Sequence, residues 1–170
     1  MTSTVDERSM RAPALLCFAV AADVERWPAI LPHYRTVRFR GAHSLGTGRV
    51  EMSAWREFAG PLRYPTWWVS DMRAVEAEPA IYFEHVAGIT RGMQVKWAFQ
   101  PDGSDPGATR VRITHEWQGP HWPMIGPAAW RHVIGPHFVS FIAQRTLAGI
   151  ATEAERRNAG DGNGANLGER

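Results

Sequence analysis

From about residue 35 to residue 117, apolar side chains recur at every second position, the period of a β-strand with one buried face. Val37 and Phe39 oppose Thr36, Arg38 and Arg40. Val50, Met52, Ala54, Arg56 and Phe58 share a face, and so do Tyr64, Thr66, Trp68, Ser70 and Met72. The same alternation groups Ile81, Phe83 and His85, then Met93, Val95, Trp97 and Phe99, then Val111, Ile113, His115 and Trp117. Gly46, Gly48, the Gly60 and Pro61 break, the Gly88 to Gly92 stretch and the Pro101 to Gly107 run punctuate these segments. Short turns between consecutive strands predict an antiparallel meander of about six strands.

The flanks follow other periods. Residues 2 to 11 have mixed polarity and predict a first or edge strand. Pro13, suited to the first position of a helix, opens an apolar helix to Ala22. Asp23 is the candidate cap of a second helix holding Trp27, Ile30 and Leu31, kept short by Pro28 and Pro32. At the other end, Gly135 to Arg157 reads as one long helix. Stepped at about 100° per residue, Phe138, Val139, Phe141, Ile142, Ala143, Leu147, Ala148 and Ile150 cover well over half its circumference. Ser140 and Gln144 occupy the narrow polar side, and Arg145 and Thr146 interrupt the sweep. A surface helix needs an apolar stripe only about 100° wide, so the surplus predicts a second protein layer or a cavity. This helix is the one large element available to cover the sheet. The expectation is an α+β domain over residues 1–157: a curved antiparallel sheet wrapped around the long C-terminal helix, with two short helices after the first strand. Residues 158–170, rich in Gly with Leu167 as the sole large apolar residue, predict a disordered tail.

Composition changes this picture in one respect. With 44% hydrophobic and 21% charged residues the 170-residue chain is ordinary, but eight Trp are many for one small domain. Indole brings large area and an N–H that needs a partner, which suits a ligand wall as well as a solid core. The net charge of +2, with no compact basic stripe, argues against nucleic acid. A polar N-terminus and the lack of any stretch of about 20 apolar residues argue against a leader or a membrane span, and point to a cytoplasmic protein. Cys17, alone among apolar neighbours, reads as a packing residue with no disulfide.

Several segments together resemble the polyketide cyclase/dehydrase branch of the START-like (SRPBCC) superfamily. They are the Ala12 to Val20 helix, DVERWPAILPHY (Asp23 to Tyr34), RGMQVKW (Arg91 to Trp97), VRITHEW (Val111 to Trp117) and the long terminal helix. The likeness spans roughly residues 3 to 155. It implies a helix-grip fold around a hydrophobic cavity, and an activity like that of the aromatase/cyclases, which take a poly-β-ketone from an acyl carrier protein without a cofactor. Tyr34 and Trp97 resemble pocket-lining positions of that family. The family's inward Arg after a Trp-Val-Ser run falls on Met72, with Arg73 one residue on and facing outward, so Arg56 on the neighbouring strand is the candidate substitute.

The candidate chemistry lies where alternation sends a polar group inward. Arg56 could stabilise an enolate or carboxylate, or instead pair with a protein carboxylate or turn outward at a bulge. His85 and His115 could move protons between carbon and oxygen, or be satisfied core histidines. Tyr34 could donate to a ligand carbonyl or cap the helical pair. The expected catalytic set is therefore Arg56, His85, His115 and Tyr34. The expected wall is Trp68, Met72, Phe83, Trp97, Ile113, Phe138, Phe141 and Ile142. His121, His132 and His137 cluster near Pro-rich turns without metal-ligand spacing, so no metal is expected. Two activities fit: cyclisation and dehydration of a hydrophobic poly-keto substrate, or non-catalytic carriage of a lipid, quinone or other hydrophobic molecule. A hydrophobic small molecule is the partner in either case, in a monomer or homodimer. A protein-binding subunit with a solid interior is the third class.

Overall fold

The computed structural model describes residues 2–44, 46–57, 63–118 and 135–165; within these ranges the side chains of residues 2, 56, 57, 64, 135–138 and 161–165 fall outside the description. Strand β1 (Thr2–Met10) is followed by helix α1 (Ala14–Ala22), a single 3₁₀ turn (Val24–Arg26) and helix α2 (Trp27–Ile30). Six strands come next: β2 (Tyr34–Phe39), β3 (Gly48–Glu57), β4 (Arg63–Val75), β5 (Ala80–Gly88), β6 (Gln94–Pro101) and β7 (Thr109–Trp117). Helix α3 (Gly135–Ala165) closes the chain. All strand pairs are antiparallel, in the order β1–β7–β6–β5–β4–β3–β2. The first strand therefore sits beside the last. The two short helices carry the chain from one edge of the sheet to the other, where the meander begins, and this is the expected helix-grip arrangement.

The inward rows follow the alternation. Val50, Met52 and Ala54 of β3, Thr66, Trp68, Ser70 and Met72 of β4, and Ile81 and Phe83 of β5 are buried. Val95, Trp97 and Phe99 of β6 and Val111 and Ile113 of β7 complete the layer. Helix α1 packs onto it edge-on through Phe18 against Phe99, ring centroids 5.8 Å apart. Among the described residues of α3 the buried positions are Val139, Ala143, Thr146, Leu147, Ile150, Ala151, Glu153 and Ala154. That stripe is narrower than the apolar sweep of the sequence. Phe141 falls outside it, 43% exposed beneath the Arg145 guanidinium at 5.2 Å, while Thr146, read as an interruption, is buried.

Two further expectations change. Asp23 makes no side-chain cap; its backbone carbonyl accepts from the Arg26 N–H at 3.1 Å. Helix α3 continues to Ala165, past the boundary expected at Arg157, and residues 166–170 lie outside the described residues. Midway along its second half the helix is tied to the residue after β1: Glu155 accepts from the Arg11 N–H at 3.0 Å and Asn158 donates to the Arg11 carbonyl at 3.2 Å. Those bonds lend tertiary support at the start of a Gly- and Asn-rich segment with little helix propensity of its own.

Two glycines mark close approaches. A Cβ on Gly149 of α3 would lie 2.2 Å from Leu31 Cδ2 and 3.3 Å from the Ile30 carbonyl, so its absence lets α3 pack against the end of α2. Gly88, at φ +91°, ends β5 where a Cβ would meet the Trp67 carbonyl at 2.4 Å. In the β6–β7 loop, Asp102 accepts from the Ser104 N–H and hydroxyl and from Arg110, at 3.0, 2.7 and 2.8 Å. These bonds, those from Ser104 first, hold its carboxyl well below the usual carboxylate range.

Candidate functional site

The inward faces of the strands and the first half of α3 line a half-open cavity of about 70 Å³. Among the described residues, the sheet contributes Tyr34, Met52, Trp68, Phe83, His85, Val95, Trp97, Ile113 and His115. The turn after β5 adds Thr90 and Met93, and α3 adds Val139, Ile142, Ala143 and Thr146. Aromatic rings back this wall. Trp27 lies 5.0 Å from Tyr34, 5.8 Å from Trp97 and 6.4 Å from Phe83, and Tyr34 lies 6.1 Å from Trp68, all measured between centroids.

Three of the expected catalytic side chains come together here. Strict alternation from Val37 would send Tyr34 outward, but a register shift between Tyr34 and Thr36 inserts a residue and turns the phenol inward. His85 and His115 stand on β5 and β7, two strands flanking β6, each at an inward position. Arg56 sits on β3 opposite Tyr64, and its side chain lies outside the described residues. Of the expected wall, Trp68, Phe83, Trp97, Ile113 and Ile142 line the cavity. Met72 is buried at 3% exposure but is not among the lining residues, and Phe141 faces away for the reason given above. Phe138 lies outside the described side chains. Arg73 is on the outer face, its guanidinium 4.4 Å over the Tyr82 ring, as the sequence register requires.

Each histidine is held by a hydroxyl. His85 Nδ1 is 2.6 Å from Thr90 Oγ1, and its ring stacks on Trp68 at 6.0 Å. His115 Nδ1 is 3.5 Å from Thr4 Oγ1, a longer and weaker contact. Burial, and secondarily the neighbouring His115, push His85 down to about 3; burial alone pushes His115 down to about 4. Both imidazoles are therefore neutral at pH 7. A neutral imidazole offers one donor and one acceptor, so each can bind a carbonyl without bringing a charge into an apolar space. Across the cavity, Thr146 Oγ1 is 3.0 Å from His33 Nε2, linking α3 to the residue before the β2 bulge.

Some of these residues escape a reading of periodicity. Met52, Met93, Val95, Val139 and Ala143 lie on faces that the pattern marks as apolar. Thr90 sits in a turn and Thr146 reads as a break in a stripe, so neither carries a signal; both reach the cavity through tertiary contacts. Cys17 is buried as expected, and burial lifts its thiol to about 11, where it is no nucleophile near neutrality. Among the described residues, no three His, Cys, Asp or Glu side chains converge as a metal site would require, and no helix is long and apolar enough to cross a membrane.

A cavity walled by a sheet and a gripping terminal helix meets its match at the level of sequence. The model of the family described as polyketide cyclase/dehydrase and lipid transport matches residues 10–133. The chain belongs to this family. Family membership agrees with the helix-grip fold, which several solved structures share. The Zhui aromatase/cyclase from a Streptomyces species superposes with a TM-score of 0.72 at 21% identity, covering 92% of this chain and 94% of that one. A protein from Thermus thermophilus superposes at 0.71 with 17% identity, covering 90% and 97%. A START superfamily protein from Mycobacterium smegmatis superposes at 0.62 with 17% identity, covering 92% and 97%. At such identities the likeness is one of fold. No curated protein matches the chain in sequence.

Proposed function

We propose that this family member is a cofactor-independent, aromatase-like cyclase that folds a hydrophobic poly-keto chain in the cavity and promotes ring closure and loss of water. The observation that carries the reading is the pair of neutral imidazoles on an otherwise apolar wall, with the Tyr34 phenol on the same cavity. Ring closure by aldol addition needs a proton taken from carbon and a carbonyl oxygen that can bear charge. An imidazole with a depressed basicity is a poor base in the empty cavity. A developing enolate beside it reverses that penalty, because an adjacent opposite charge favours the imidazolium. Proton removal and enolate stabilisation are thereby coupled, and the imidazolium formed can return its proton to a departing hydroxyl. The apolar wall supplies orientation and excludes water. Delivery of the chain by an acyl carrier protein belongs to this proposal.

Pockets for drug-sized ligands run to roughly 300–1,000 Å³, against about 70 Å³ here. The second reading, a carrier for a lipid, quinone or similar molecule, is favoured by the predominance of apolar wall. The two part on the polar groups. His85→Leu and His115→Leu should abolish product formation while leaving binding of a hydrophobic ligand within a few-fold of wild type. Unchanged product formation in both variants overturns the catalytic assignment, and a wild type that binds its ligand without product assigns the carrier role.

A further inference from the structure

We infer that Thr90 is a positioning residue that spends its hydroxyl proton on His85 Nδ1, so that His85 presents Nε2–H to the cavity as a hydrogen-bond donor for a ligand carbonyl oxygen. The assignment rests on the reading of the cavity as a carbonyl-binding site, and it gives His85 a definite half of the chemistry: the electrophile that polarises C=O, leaving proton abstraction to another group.

Thr90 is buried at 4% exposure in the turn between β5 and β6. Among the described residues, the one hydrogen-bond contact of its Oγ1 is His85 Nδ1, at 2.6 Å. A hydroxyl has a single proton. The hydroxyl and the neutral ring bring two donors to this one bond, so one is left over: the O–H of a side chain only 4% exposed if Oγ1 accepts, or Nε2–H of the cavity-lining ring if Oγ1 donates. Donation to Nδ1 puts the leftover donor on the ring, where a ligand carbonyl can satisfy it, and a neutral ring whose Nδ1 accepts must carry its proton on Nε2. Burial of the ring, which keeps it neutral, is consistent with this single-proton state.

The turn is built to hold this arrangement. The His85 N–H donates to the Met93 carbonyl at 2.9 Å, the Gly92 N–H to the His85 carbonyl at 2.8 Å and the Met93 N–H to the Thr90 carbonyl at 3.0 Å. Gly88 and Gly92 take positive φ on either side of Thr90. With the backbone closed on both sides and the ring stacked on Trp68, imidazole orientation is set by the side-chain bond to Thr90.

The test combines ring ¹⁵N NMR with binding of two compact probes, acetophenone and its apolar analogue isopropylbenzene. In wild type, Nε2 should be protonated and Nδ1 should resonate as a hydrogen-bonded lone pair. Thr90→Val should move Nδ1 to the position of an unbonded lone pair and weaken acetophenone about tenfold, the value of one well-made hydrogen bond, with isopropylbenzene unchanged. Thr90→Ser should restore both readings, which a purely packing role would not predict. Protonated Nδ1 in wild type, or an Nδ1 signal indifferent to Thr90→Val, overturns the inference. Protonated Nε2 in a wild type that binds isopropylbenzene but gains nothing from the acetophenone carbonyl upholds the hydrogen-bond geometry and overturns the carbonyl-site reading beneath it.

Discussion

Acidification from pH 7 to pH 5 should destabilise the fold through the cavity histidines. His85 is pushed down to about 3 in the folded protein, against about 6.5 in an unfolded chain. As pH falls below about 6.5 the unfolded state takes up the proton and the folded state does not, so stability rises with pH across this window and is lost as pH falls towards the folded value. At pH 5 an unfolded imidazole is almost fully protonated, which amounts to about 2 kcal/mol for one buried group. His115, down to about 4 by burial, is likewise unprotonated in the folded state at pH 5 and adds a comparable share. Glu153, held at about 2 by Arg156 and Arg157, stays ionised in the folded state, and its unfolded carboxylate takes up only a small fraction of a proton by pH 5, so its share of the slope between pH 7 and 5 is small. A urea m-value of about 2 kcal/mol per M converts the His85 share to a fall of about 1 M in the denaturation midpoint. Tryptophan fluorescence at pH 7, 6 and 5 reads that midpoint directly. His85→Gln, which keeps an acceptor for Thr90, should flatten the dependence by about that amount. Equal slopes in wild type and His85→Gln would refute the claim that the folded ring is held neutral.

The geometry makes three further predictions. Gly88→Ala should cost about 3 kcal/mol or more, since the new Cβ meets the Trp67 carbonyl at 2.4 Å with φ at +91°; thermal unfolding checks this, and a melting temperature within a degree or two of wild type contradicts it. Gly149→Ala should cost about 1–3 kcal/mol by overpacking against Leu31, with backbone circular dichroism preserved. Phe141→Ala should leave hydrophobic ligand affinity within about twofold of wild type, because its ring is outside the cavity, while Ile142→Ala alters that affinity; calorimetric titration separates them.

How far each of these features could be read from sequence depends on whether one residue or a distant contact decides it. The inward row from Met52 through Trp68, Phe83, His85, Trp97 and Ile113 to His115 follows from a period of two, which antiparallel pairing preserves across β3 to β7. Tyr34 breaks that period at a bulge, and only its place in the DVERWPAILPHY motif marked it. On β1 the pattern is inverted: Val5 is 56% exposed while Asp6 is buried and accepts from Gln144 at 2.9 Å, because α3 covers the face that carries the acid. Thr90 and Thr146 matter through partners 5 and 113 residues away, which no local pattern encodes. The helix shows the opposite error. Its apolar sweep counted Phe141 as inward, yet what the sheet can touch is set by packing geometry, and Arg145 covers that ring instead. Past Arg157, composition predicted a tail where the backbone stays helical to Ala165.

The most direct test of the central claim is product analysis of a poly-β-keto thioester incubated with the wild-type protein and with buffer alone. Such chains close spontaneously into mixtures, so rate and ring pattern both report on the cavity. The account predicts faster formation of one dehydrated ring pattern, lost in the protein carrying both His85→Leu and His115→Leu. The same mixture at the same rate with and without the protein would contradict it.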